Sequence, residues 1–217
     1  MCSNYDLSKL NVNQTFTVTY KGLTTTYPLR CVSRMNFDDV TEESWYYQYV
    51  LDVYNMGYMS GMNSDTFGAI KPLARAQFAA ILYRMSEKPA VTYQSKFPDV
   101  AAGVWYTNPI MWASSNNIVT GYTNTGLFGP SDNITREQIV VMMYRYAQFL
   151  GLDTSNRSSP DSFQDASYVS SFAKDAMEWA VAELIITGKD NKTRLDPQGL
   201  ASRAECATII DWFSRLM

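Results

Sequence analysis

Three stretches of this 217-residue chain are versions of one another, and that repetition limits its possible folds more than any other feature. From Phe37, "FDDVTEESWYYQYVLDVYNMGYMSG" leads to "LARAQFAAILYR". From Phe97, "FPDVAAGVWYTNPIMWASSNNIVTG" leads to "ITREQIVVMMYR", and from Phe163, "FQDASYVSSFAKDAMEWAVAELIITG" leads to "ASRAECATIIDW". The leading Phe lies 24, 24 and 25 residues before the repeated Gly61, Gly121 and Gly188, which precede Arg75, Arg136 and Arg203 by 14, 15 and 15. A unit this short cannot bury its own apolar face, so three copies are expected to pack around a shared core.

Each copy reads as helix, loop, helix. In the third, Ala173, Ala176, Met177, Ala180 and Leu184 fall on one face at i, i+3, i+4, i+7 spacing. Pro109 suits the first turn of the equivalent helix in the second copy. Gly57 and Asn117 tolerate the left-handed conformation that closes a helix, whereas Leu184 stands at the matching position, so a different ending is expected there. After a polar loop, Thr135 with Gln138 and Ser202 with Glu205 fit the capping box, while the first copy has Ala74 and no hydroxyl. The apolar faces then continue through Phe78, Ile81, Leu82 and Met85; Ile139, Met143, Ala147 and Leu150; Cys206, Ile209, Ile210 and Phe213.

Residues 11 to 32 differ in character, with β-branched and aromatic residues alternating on either side of "KG", the pattern of a hairpin. Such a ribbon is marginal alone and reads either as the tail of an upstream β-domain or as an addition packed on the helices. The units are therefore a ribbon at 1–36 and repeats at 37–96, 97–162 and 163–217.

Composition removes several functions. The chain has no histidine, which excludes Ser-His-Asp, Cys-His and His-zinc chemistry. A net charge of −3 leaves no Lys/Arg stripe for nucleic acid. The three cysteines form no CxxC pair; Cys206 reads as a small core residue, and a bridge between Cys2 and Cys31 is the less favoured reading of the ribbon. Asp190, Asn191 and Asp196 lack the spacing and bidentate Glu of a calcium loop, so no metal or other cofactor is indicated. No run of 18 apolar residues is present and the start lacks a signal peptide's pattern, so the chain is expected to be intracellular or the downstream part of an exported protein.

The F-x-D-V starts, W-Y, the I-I-T-G ending of the first helix, Phe128 and Pro130 in the loop, and T-R-E-Q ahead of an apolar helix together resemble S-layer homology domains. These occur as three tandem copies in bacterial cell-surface proteins, and the resemblance covers residues 37 to 217. It implies a mainly α fold, a pseudo-threefold helical spindle, to which the pattern of the first residues adds a short N-terminal β-ribbon. It further implies a non-catalytic anchor, at the carboxyl end of a larger polypeptide with upstream domains, that binds a secondary cell-wall polysaccharide often carrying pyruvate ketals. Ligand pockets are implied in the grooves between repeats. By position these give Arg75, Arg136 and Arg203, then Asp39, Asp99 and Asp165, the aromatics Trp45 and Trp105, and Gly61, Gly121 and Gly188. The middle copy keeps the pattern best, which favours the grooves built around Arg136.

Two readings stand for most of these residues. A cation in the first turn opposes the helix dipole, so each arginine awaits an anion. That anion is either a ligand carboxylate, taken bidentately with help from free N–H groups at the helix start, or a structural partner such as Asp39, Asp99, Asp165 or a nearby Glu. The aspartates suit caps or turns, the tryptophans suit sugar stacking or the filling of space between repeats, and the glycines suit backbone conformation. The rival function is a structural or protein-interaction module of a surface assembly; a glycosidase using Asp99 and Glu137 is a distant third.

Overall fold

The structure, a computed structural model, describes residues 2–3, 13–30 and 35–217. A three-stranded antiparallel ribbon comprises β1 (Cys2–Ser3), β2 (Asn13–Tyr20) and β3 (Leu23–Arg30) in the order β1-β2-β3. Lys21 (φ 49°) and Gly22 (φ 80°) supply the two left-handed residues that a tight hairpin matched to strand twist requires. The pairing of Cys2 with Cys31 lies outside the described side chains.

Six helices follow: α1 (Tyr47–Asn55), α2 (Arg75–Met85), α3 (Thr107–Ser115), α4 (Arg136–Phe149), α5 (Lys174–Ala182) and α6 (Arg203–Ser214). They pair across repeats, α1 against α6, α2 against α3 and α4 against α5, so each first helix leans on a second helix of another copy. Residues at equivalent levels of the second helices are all buried: Phe78, Ile139 and Cys206; Leu82, Met143 and Ile210; Met85, Tyr146 and Phe213. Tyr146 packs on Phe213 with ring centroids 5.6 Å apart, and its hydroxyl lies 3.0 Å from Ser86 Oγ at the end of α2. The three second helices thus converge on one core, as the repeats require, in the spindle that the resemblance implies. Cys206 is a fully buried free thiol whose pKa is pushed far up by that burial.

Polar groups on the axis close a ring. Leu73 N–H donates to Ala201 O (3.0 Å), Ala201 N–H to Ile134 O (3.1 Å), and Ile134 N–H to Leu73 O (2.8 Å). These residues immediately precede the three second helices and are completely buried, so each copy satisfies its backbone only through the other two.

The first helices all end alike. Gly57, Asn117 and Leu184 have φ of 74°, 59° and 57°, and the residues after each donate back to Val53 O, Ala113 O and Ala180 O. The third copy therefore does not use a different ending, as its sequence suggests. The repeat geometry overrides the local preference of Leu184, whose side chain is 59% exposed and so recovers little by packing. Leu184→Asn, which copies the second repeat, is expected to raise stability by about 1 kcal/mol, or about 3 °C in Tm. An unchanged urea midpoint would show that no strain resides there.

The capping boxes form as expected. Thr135 Oγ1 accepts from Gln138 N–H (3.3 Å) and Ser202 Oγ from Glu205 N–H (3.2 Å). Ala74 has the same extended backbone (φ −79°, ψ 151°), and Gln77 Oε1 accepts from its N–H at 3.0 Å, so half of the box is in place. Ala74→Ser needs only to add the hydroxyl and is expected to stabilise by about 1 kcal/mol. In the parent chain, amide exchange at Gln77 and Phe78 is expected to be faster than at Gln138 and Ile139; the reverse order would remove the capping explanation.

Candidate functional site

The recurring arginines sit at N1 of α2, α4 and α6 and are all buried. Their first contact is the loop of the next repeat around the ring. Arg75 Nε donates to Phe128 O (2.9 Å), Arg136 Nε to Leu195 O (2.8 Å) and Arg203 Nε to Phe67 O (2.8 Å). The N–H groups at these helix starts go to the same loops: Arg75 and Ala76 to Asp132 O and Pro130 O, Arg136 and Glu137 to Gly199 O and Pro197 O, Arg203 and Ala204 to Lys71 O and Ala69 O. The donors that an isolated helix start would offer a ligand are therefore already engaged, because the neighbouring repeat supplies acceptors that no single copy's sequence reveals.

The recurring aspartates bind the other side of the same loops. Asp39 accepts from the N–H of Phe67, Gly68 and Ala69 at 2.7 to 2.8 Å. Asp99 accepts from Phe128 (2.9 Å) and Gly129 (2.7 Å), and Asp165 from Leu195 and Asp196, both at 2.8 Å. In each repeat one peptide unit, Phe67–Gly68, Phe128–Gly129 or Leu195–Asp196, is held between a carboxylate at its N–H and a guanidinium at its C=O. Such bonds polarise one another and are stronger than neutral ones. Direct pairing of the arginines with the aspartates is one option that the sequence leaves open; the structure couples them through this peptide instead.

Desolvation works against the charged form of Asp39, yet the N–H groups of Ala69, Phe67 and Gly68 outweigh it and hold its pKa below the ordinary 3.8. Asp165 is likewise lowered, against desolvation, by the Leu195 and Asp196 amides and by Arg194. Because these folded-state values lie below those of the unfolded chain, the stability they contribute is present above about pH 4 and is lost as the pH falls through them. Asp39→Asn is expected to cost about 2 kcal/mol at pH 7 and to flatten the acid limb of the stability curve. Equal acid slopes in urea titrations of the two proteins would remove Asp39 from that role.

The remaining candidates divide clearly. Trp45 and Trp105 are each 62% exposed, and Phe172, at the same position of the third repeat, is 60% exposed, so none of them fills space between repeats. Trp45 and Trp105 lean edge-on against Tyr46 and Tyr106. Gly121 (φ 72°) and Gly188 (φ 86°) need the left-handed conformation, and a Cβ on Gly61, Gly121 or Gly188 would strike the leading Phe of its own repeat. Asp99 and Glu137 are taken up structurally, Glu137 by the N–H (3.0 Å) and hydroxyl (2.8 Å) of Ser170.

Around this common frame the grooves differ. Arg136 Nη1 lies 3.5 Å from Glu205, which Lys189 Nζ also approaches at 3.0 Å, so the groove of the best-preserved copy already contains a carboxylate. Arg75 is stacked beneath Tyr122, 4.5 Å from ring centroid to guanidinium, and the Tyr122 hydroxyl donates to Asp132 at 3.0 Å. Beside Arg203 a cleft of about 300 Å³ opens instead. Its walls are Ser60, Gly61 and Met62 from the loop after α1, Leu73, the α2 stripe Gln77, Ala80, Ile81 and Arg84, and Trp105 at the rim. Among the described residues no carboxylate lines it. A larger cleft near Tyr122 includes Asp99 and Asp132 and is ill suited to an anion.

Arg84 falls outside the repeated motif, and its only sequence signal is its place at i+7 from Gln77 on the i, i+3, i+4, i+7 stripe facing the cleft; Arg145 and Trp212 hold that position in the other repeats.

Comparison with known proteins agrees with this construction. The family model for the S-layer homology domain matches residues 36–79, 96–140 and 162–207. An endoglucanase of Bacillus sp. (strain KSM-635) is 33% identical over 175 residues, 80% of this chain and 18% of that protein. The exoglucanase XynX of Acetivibrio thermocellus is 28% identical over 81% of this chain and 16% of its own length. The surface-layer 125 kDa protein of Lysinibacillus sphaericus is 29% identical over 76% and 13%. The chain thus spans less than a fifth of each of these relatives. Among the described residues no helix is long and apolar enough to cross a membrane. With the family model matching three successive segments that make up more than half of its length, the chain belongs to the S-layer homology domain family and carries three tandem copies of the domain.

Proposed function

We propose that this chain is a non-catalytic module that holds a larger polypeptide on the cell wall by binding an anionic, pyruvylated wall polysaccharide, with the Arg203 groove as the principal site. Membership of a family found in surface-layer and cell-surface proteins supports wall anchoring in general. The observation that carries the glycan reading is the Arg203 cleft, where the buried Arg203 and the half-buried Arg84 meet no lining carboxylate among the described residues and an exposed tryptophan stands at the rim. A carboxylate on a sugar would pair with the guanidinium while the sugar ring lies against Trp105. The catalytic names among the relatives belong to proteins matched over a small part of their length, which supports assigning catalysis to the parts outside the match.

This reading places binding at Arg203 rather than at Arg136, where Glu205 competes with any ligand for the cation. The measurement is retention of the chain on purified sacculi with and without their secondary polysaccharide, followed by competition with a pyruvylated disaccharide. Retention is expected to require the polysaccharide, to be saturable by the disaccharide, and to fall at least ten-fold in Arg203→Ala, about 1.4 kcal/mol. Undiminished retention on stripped sacculi would favour the rival reading of a protein-contact module, for which the exposed Trp45 and Phe172 offer apolar surface.

A further inference from the structure

We infer that the Arg203 cleft selects a saccharide bearing two negative charges, the second of which is met by Arg84; this rests on the glycan-binding reading above. Arg203 enters from the first turn of α6 and Arg84 from the last turn of α2, so cations from the third and first repeats face one cavity. Backbone carbonyls hold both side chains. Arg84 Nη1 donates to Tyr58 O at 3.1 Å, and Arg203 donates through Nε and Nη2 to Phe67 O and Ser60 O. Carbonyls fix a guanidinium in place without cancelling its charge. Asp39 lies behind the Phe67–Gly68 peptide and does not line the cleft.

Burial lowers the pKa of both arginines; at Arg203 the charge of Asp39 behind the peptide works against this and the charge of Arg84 works with it. Neither gives up its proton, since a guanidinium is too basic. The free protein therefore carries two like charges against one partly dry cavity. A ligand with a single carboxylate satisfies one guanidinium bidentately and leaves the other facing low-dielectric surroundings. A second anionic group relieves that. At about 300 Å³ the cleft is at the small end for ligand sites, so both groups must lie on one sugar or on adjacent sugars. The Arg136 groove lacks this arrangement: Trp212 stands at the position of Arg84 in the third repeat, and Glu205 at that of Gln77.

The test is calorimetric titration of the intact chain with two probes, a pyruvyl ketal of a hexose glycoside with one carboxylate and its disaccharide extension with a uronic acid. The wild-type chain is expected to bind the dianion at least ten-fold more tightly, a ratio that needs no variant to measure. In Arg84→Gln the ratio is expected to fall close to one, whatever happens to overall affinity, and in Arg84→Lys to stay in between. A wild-type chain that does not discriminate, or a ratio unmoved by Arg84→Gln, overturns the inference while leaving glycan binding intact. A wild-type chain that binds neither probe overturns the underlying glycan reading as well.

Discussion

The closed ring of backbone hydrogen bonds through Leu73, Ala201 and Ile134 is the constraint on which the rest of the molecule depends. Three completely buried peptide segments meet where no water can satisfy them, and each gives its N–H to one neighbour and its C=O to the other. Two copies would leave one donor and one acceptor unpaired. Three close the ring. The residues immediately following it begin the second helices, so the ring also fixes where three arginines stand relative to three loops.

What those arginines meet follows from this placement. Each helix start presents N–H groups and a guanidinium toward a loop whose carbonyls point inward, and the loop is held from its other side by the F-x-D aspartate. A peptide unit between carboxylate and guanidinium is a dipole aligned with both charges. It transmits the interaction of an ion pair between groups that never touch, and it stiffens the loop that forms one wall of the groove. The cation that opposes the helix dipole is thus stabilised by the neighbouring repeat; beyond that shared bond Arg203 Nη2 is held by Ser60 O, Arg136 Nη1 lies near Glu205 and Arg75 stacks on Tyr122.

The sequence revealed the features that are local. Capping boxes, the Lys21–Gly22 hairpin and the apolar stripes all depend on residues a few positions apart, and each has its counterpart in the structure except at Leu150 and Leu184, which lie exposed beyond their helices. What it concealed is relational. Leu184 adopts a left-handed backbone because Ile185 and Ile186 must reach their buried places, 2% and 3% exposed, and that requirement is invisible to a rule about helix ends. Likewise, helix N–H groups count as free donors only until the loop of another copy is placed on them. Similarity to the motif singles out Arg136, whereas the charge in a groove is set by what other repeats contribute, which no single copy displays.

Repetition and divergence occupy different faces of the same helices. Positions turned to the axis, such as Phe78, Ile139 and Cys206, share burial but not identity, since three side chains must jointly fill one level and a large residue in one copy permits a small one in another. The N1 arginines and the loop aspartates are identical in all three copies because each makes the same bonds to backbone, which offers the same geometry every time. The outward stripe is less constrained: Gln77, Gln138 and Glu205 need only offer an oxygen to the N–H of the N-cap, which Gln and Glu do equally, and Arg84, Arg145 and Trp212 share no identity requirement. A threefold scaffold whose frame demands sameness therefore leaves each groove free to acquire its own charge, and ligand preference is to be sought in the residues that break the repeat.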